Sequence, residues 1–144
     1  MTEHEMMAEL LLPEIKKTPD FYENLYKERD LKEGARVTRV APSPTGYLHL
    51  GTLFTALVNR ICATSTGGVF YTRIEDTDKK REVDGGIEDI IGGLNRFNIE
   101  IDEGYVSGDR ETGDYGPYKQ SVRGEIYQTY AKDLIRRGLA YPCF

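Results

Sequence analysis

The chain has 144 residues, 39% hydrophobic and 30% charged, enough for about one globular domain with a real core. No apolar run approaches the roughly 20 residues that span a bilayer, and the acidic start MTEHEMMAE is unlike a signal peptide, so no membrane role and a cytoplasmic setting are expected. The net charge of −5 argues against non-specific nucleic-acid binding, and two distant cysteines, Cys62 and Cys143, give no disulfide framework.

Residues 1–35 read as a helical N-terminal extension. MMAELLLPEIKK makes a short amphipathic helix that stops near Pro13. In TPDFYENLYKERD, Thr18 is a helix cap, Pro19 suits the first helical position and Asp20 favours the positive helix end. From residue 36 to 144 the pattern becomes α/β. RVTRVA reads as a strand. HLGTLFTALVNRICATS reads as a helix, with Leu50, Leu53, Leu57 and Ile61 at helical spacing, and GGVFYTRI as a second strand. A strand, a crossover helix and a strand form a βαβ unit, so the two strands should lie parallel. Ile87 to Phe97 is helical again, with Ile87, Ile90, Ile91, Leu94 and Phe97 on one face. Residues 104–120 read as a long glycine-rich loop, Val122 to Arg137 as a last helix, and LAYPCF as a terminal strand. Basic residues cluster at Lys79, Lys80 and Arg81 and at Arg136 and Arg137.

The loop APSPTGYLHLGT, residues 41–52, joins the first strand to its helix. Ligands of parallel sheets bind at the carboxyl ends of strands, and a helix N-terminus there offers free N–H groups and a positive dipole to phosphate. Ser43 and Thr45 add hydroxyls, Gly46 permits a tight turn, and His49 can direct a ring N–H at a phosphate oxygen. Gly51, early in the helix, costs about 1 kcal/mol relative to alanine. Close approach of a ligand to the backbone would explain it. The loop is neither a Walker A sequence nor GxGxxG. From these residues alone, a nucleotide site and a purely structural turn both remain open.

TRVAPSPTGYLHLGT resembles the HIGH signature of the class I aminoacyl-tRNA synthetases in its glutamyl form. RIEDTDKKR, IDEGY, GPYKQSVR and GLAYPCF resemble further family segments in the same order. The resemblance covers residues 36–144. PSPTG is similar to the bacterial glutamyl branch rather than to the PEPNG-like loops of glutaminyl enzymes. His-Leu-Gly-Thr departs from the literal signature, with Thr52 in place of its second histidine.

The resemblance implies the N-terminal half of a Rossmann-like catalytic domain, a parallel sheet with flanking helices, ending at the start of an acceptor-binding insertion. It implies ATP-dependent activation of L-glutamate to glutamyl-adenylate and transfer to the 3′ end of tRNA(Glu). His49, Gly51 and Thr52 would be catalytic. Ser43, Thr45, His49 and Gly51 would meet ATP with its Mg2+. Arg39 would hold the γ-carboxylate, Glu75 the α-ammonium, and Ala41 and Ser43 would shape the amino-acid pocket. Asp78, Arg81, Tyr118, Gln120 and Arg123 would reach the tRNA acceptor end, with Ser121 in the same segment. Cys143 is a candidate first zinc ligand, but a lone cysteine is no metal site. The KMSKS loop and anticodon-binding domain lie outside this sequence, which implies a fragment inactive by itself. Full-length family members are usually monomeric. Two alternatives stay open: a paralogue that glutamylates a modified base of tRNA(Asp), and a non-catalytic nucleotide- or tRNA-binding module.

Overall fold

Two four-residue strands, β1 (Val37–Val40) and β2 (Val69–Thr72), run parallel, with Val37 opposite Val69 and Val40 opposite Thr72. Helix α3 (Leu50–Thr66) makes the crossover that parallel neighbours require. The structure, a computed structural model, describes residues 1–108 and 110–143. Its α/β architecture with a parallel sheet is the one the sequence led us to expect.

By packing, the chain forms two units, Arg29–Val122 and Met1–Glu28 together with Arg123–Phe144. In the first, α4 (Gly86–Arg96) follows β2. Val40, Phe70, Ala56, Ala63, Ile90, Leu94 and Ile99 form the core beneath the sheet. Helix α3 meets that core through Ala56 and Ala63, both fully buried, with Leu53 packed beside them. Its larger apolar residues Leu50, Phe54, Leu57 and Ile61 are exposed instead. Small side chains let a helix lie close to a sheet, so the face toward the sheet is not the most hydrophobic one. On α4 the expected face holds for Ile90, Ile91 and Leu94, whereas Phe97 follows the last helical residue and is exposed.

The segment read as a loop from 104 contains two strands, β3 (Gly104–Ser107) and β4 (Arg110–Thr112), paired antiparallel. Glu103 bridges to Tyr71 and Lys119 to Ile74, both in the parallel sense, so the sheet is extended by short, irregular pairings. These escape a sequence pattern because each spans one residue pair.

In the second unit, α1 (Glu3–Leu11) starts at a capping box in which Thr2 and Glu5 satisfy each other's backbone N–H. Helix α2 (Pro19–Leu25) begins at Thr18 without a side-chain cap bond, so the hydroxyl does not cap as expected. Both pack on α5 (Gly124–Arg136), which follows a 3-10 turn at Gln120–Arg123. Lys132, nearly buried on α5, donates to Glu9 Oε2 and to the Ile15 carbonyl, each at 2.8 Å. Tyr22 stacks on Tyr130, and its hydroxyl donates to Glu125, which also pairs with Lys17 at 2.7 Å. Residues 139–143, expected as a strand, form none.

Candidate functional site

The loop between β1 and α3 is fastened at three points. The Pro42 carbonyl accepts from Glu75 N at 2.9 Å and the Pro44 carbonyl from Val83 N at 2.8 Å. Leu48 packs on Gly93 of α4 so closely that a Cβ at position 93 would lie 2.1 Å from Leu48 Cδ2. Pro42 and Pro44 are buried while Ser43, Tyr47 and His49 face outward. Alternating anchors and exposed polar groups make a rigid rim.

That rim encloses an open cleft of about 600 Å³. Arg39, Ala41 and Ser43 line one part of it. Thr45, His49, Gly51 and Thr52 line another. Seven residues named from sequence thus converge. His49 is the N-cap of α3 and makes no side-chain cap bond, and the first turn carries no acidic residue. The helix end therefore keeps free N–H groups and an uncompensated positive dipole, the arrangement that attracts phosphate. Thr52 Oγ1 lies 3.5 Å from His49 Nδ1, so the threonine sits within reach of the imidazole. A Cβ at Gly51 would meet no protein atom within 4 Å. Nothing inside the protein requires glycine there.

At the edge of the cleft, Arg39 Nη1 lies 3.4 Å from Glu75 Oε1. The two expected substrate contacts, 36 residues apart, therefore face each other. Arg73 joins them, with Nη2 3.7 Å from the same oxygen. Glu75 lies beyond the end of β2 rather than in it, placed by its own N–H on Pro42. Arg73 was missed by the sequence reading, because adjacent charges in RIEDTD do not reveal which way each side chain turns.

Asp76 was also missed. It is buried and accepts from Ser121 N at 2.9 Å, Ser121 Oγ at 2.6 Å and Lys79 Nζ at 3.2 Å. Burial alone would raise its pKa, but the Ser121 hydroxyl and amide and then Lys79 outweigh it and hold the carboxyl below the ordinary aspartate range. Asp76 thus ties the turn after β2 to the segment at 119–121.

The residues expected at a tRNA acceptor end differ in exposure and in their partners. Asp78 and Arg81 pair at 2.6 Å in an exposed turn, and Arg81 holds the Asp78 carboxyl below its usual range. Tyr118 is only 1% exposed, so its ring is not open to stack on a base. Its hydroxyl donates to Glu103 Oε2 at 2.8 Å and accepts from Tyr115 N at 3.1 Å, and burial pushes its pKa well above the usual value. Glu103 also pairs with Arg29, whose guanidinium lies 3.5 Å from the Tyr115 ring centroid. Gln120 N donates to the Ile74 carbonyl. Arg123 belongs to the helical unit, with its guanidinium 6.0 Å from the Tyr127 ring centroid.

Cys143 is exposed, and no group of three or more His, Cys, Asp or Glu gathers among the described residues. No helix among the described residues is long and apolar enough to cross a membrane.

Residues 36–144 match the family model of the catalytic domain of class I tRNA synthetases (E and Q). A glutamate–tRNA ligase of Clostridium perfringens (strain 13 / Type A) is 53% identical over 141 residues, covering 98% of this chain and 26% of the relative. One from Acetivibrio thermocellus is 51% identical over 144 residues, covering 99% and 26%. The chain thus spans about a quarter of the length of these curated relatives. A crystal structure of a glutamate tRNA ligase from Elizabethkingia meningosepticum, in complex with its amino acid, superposes with a TM-score of 0.63 at 42% identity, covering 72% of this chain and 20% of that one. The sequence motifs, the βαβ unit with its cleft and these relatives agree: the chain belongs to the class I tRNA synthetase (E and Q) catalytic-domain family.

Proposed function

We propose that this chain supplies the glutamate- and ATP-facing part of a cytoplasmic glutamate–tRNA ligase. In that reaction the α-carboxylate of glutamate attacks the α-phosphate of ATP, giving glutamyl-adenylate and releasing pyrophosphate. The terminal ribose of tRNA(Glu) then takes the glutamyl group and AMP leaves. Such chemistry asks a protein mainly to position reactants and stabilise charge. Here the start of α3 and His49 meet the phosphates, Ser43 and Thr45 line their path, and Gly51 leaves room for the adenine. Mg2+ enters with the nucleotide, where phosphate oxygens and water supply most of its ligands. Arg39 holds the γ-carboxylate as a charge-assisted pair, Glu75 takes the α-ammonium, and Ala41 shapes the pocket between them.

The observation that carries this reading is the meeting of Arg39 and Glu75 beside the His49 cleft. A cation and an anion a few ångströms apart match the opposite charges of an amino acid. The name of the relatives favours this reading over the modified-base paralogue. The acceptor end of tRNA would be met by exposed Arg81 and half-buried Asp78 rather than by buried Tyr118. The pyrophosphate side of the transition state needs groups beyond these, so the 144-residue chain alone should not turn over. An ATP–pyrophosphate exchange assay on it, with glutamate and tRNA(Glu) present, checks this, and robust exchange would refute it. Glutamate-dependent ATP binding that is lost in Arg39→Ala supports the site itself. Binding unaffected by that substitution removes it.

A further inference from the structure

Arg73 follows β2 directly, with its N–H on the Val40 carbonyl, so its backbone is fixed by the sheet. Its Nη2 and the Nη1 of Arg39 approach one and the same oxygen, Glu75 Oε1, at 3.7 and 3.4 Å. Arg73 Nε is buried without a hydrogen-bond partner. A guanidinium with an unmet donor, next to a carboxylate already engaged by another arginine, is under-used by the protein alone. The neighbouring acid does not balance it. Asp76 is turned to Ser121 and Lys79. Two cations and one anion leave the group with one positive charge in excess.

We propose that Arg73 is a specificity-determining residue: together with Arg39 it gives the Glu75 cluster one surplus positive charge, which selects an amino acid with an anionic side chain over its neutral amide. The inference rests on the glutamate reading above and deepens it. Glutamate carries a net charge of −1 at neutral pH, opposite to that of the cluster. Glutamine has nearly the same shape and a net charge of zero. Shape alone cannot separate the two; donors such as Arg39 disfavour the amide NH2, and a surplus charge adds to that discrimination. A surplus charge beside the cleft favours the carboxylate without touching it in one fixed geometry, because Coulomb attraction at an effective dielectric of about 20 still acts over several ångströms. Arg39 gives the direct contact and Arg73 the excess charge.

The test is a titration of the 144-residue chain with L-glutamate and with L-glutamine, each with ATP present, followed through backbone amide chemical shifts. Four proteins are compared: the unaltered chain, Arg39→Ala, Arg73→Gln and Arg73→Lys. Circular dichroism confirms that each is folded. Arg73→Gln, which keeps a donor but loses the charge, is expected to bind glutamate about tenfold more weakly with glutamine affinity unchanged. Arg73→Lys, which keeps the charge but loses the planar fork, is expected to retain most of the preference. A merely structural role would weaken both amino acids together. Arg73→Gln with unaltered glutamate affinity, or Arg73→Lys as weak as Arg73→Gln, overturns the proposal while loss of binding in Arg39→Ala leaves the site standing. If Arg39→Ala also binds normally, or the unaltered chain binds neither amino acid, the glutamate site falls and the role of Arg73 with it.

Discussion

Around Gly51, in the first turn of α3, a side-chain carbon would find no protein atom within 4 Å. Around Gly104, at the start of β3, it would lie 2.3 Å from Thr72 Oγ1 and 2.8 Å from the Thr72 carbonyl, on a backbone with φ of +141°. Gly113 is similarly closed in, by Glu103 and the Tyr118 hydroxyl at 2.6 Å. Gly51 at the start of α3 and Gly104 and Gly113 in the 103–121 segment have opposite surroundings. The first leaves open space; the other two let the chain pack against itself. A glycine hemmed in by its own protein is explained by packing, whereas the open space at Gly51 leaves room for a ligand to approach the helix start.

The largest effect that separates the two should come from Gly104→Ala. The added carbon meets backbone as well as side chain, in a conformation that L-residues rarely adopt, so a loss of about 3 kcal/mol in unfolding free energy is expected. Chemical denaturation measures it, and a loss below about 1 kcal/mol would dissolve the contrast. Gly51→Ala should behave in the opposite way. Stability should rise by up to about 1 kcal/mol, because alanine suits a helix better. ATP affinity should fall about a hundredfold, near 2.7 kcal/mol, if the adenine occupies that space. A protein that is stabilised and binds ATP as before would show that the open glycine serves no ligand.

Asp76→Ala probes the seam that connects the turn after β2 to the second segment. It leaves the Ser121 amide and hydroxyl without their shared acceptor, and a loss of about 2 kcal/mol is expected. The pH dependence has a definite sign. The folded-state pKa of Asp76 is depressed, so its contribution is complete above the ordinary aspartate pKa of about 3.9 and is lost as pH falls through the lower folded value. Denaturation curves of the two proteins should therefore converge on strong acidification. A gap that stays constant into acid would mean that the carboxylate charge is not what holds the seam.

How far the sequence disclosed this arrangement follows from the range of each interaction. Helical period and β-branched runs revealed β1, α3, β2 and α4, because those signals lie within a few residues of one another. The place of His49 and Gly51 at the start of α3 was legible for the same reason: helix-start signals lie among neighbours in the chain. The buried face of α3 was not, since Ala56 and Ala63 carry no hydrophobic signal and are chosen by the nearness of the sheet. Nor was the division of labour within RIEDTD. Glu75 turns to Arg39 and Asp76 to Ser121 because of residues 36 positions before and 45 positions after them. The pairing of β3 with β4 escaped because the glycines around it read as flexibility, whereas Thr72 closes in Gly104 and Glu103 and Tyr118 close in Gly113 from a distance.

Tyr118→Phe is the mildest change and isolates one bond of that second segment. The ring stays buried, and only the hydroxyl between Glu103 and the Tyr115 amide is removed. Near neutral pH the cost should be about 1 kcal/mol. Alkali sharpens the assignment. Burial raises the folded-state pKa of Tyr118, so its full contribution exists below the unfolded value of about 10 and declines as pH rises toward the folded value. The phenylalanine protein has no such term, and the remaining tyrosines are shared. The stability difference between the two should therefore shrink above pH of about 10, when measured by denaturation on either side of that value. A difference that stays fixed through that range would place the Tyr118 hydroxyl in contact with water, and the 103–121 segment would then be more open than its glycines imply.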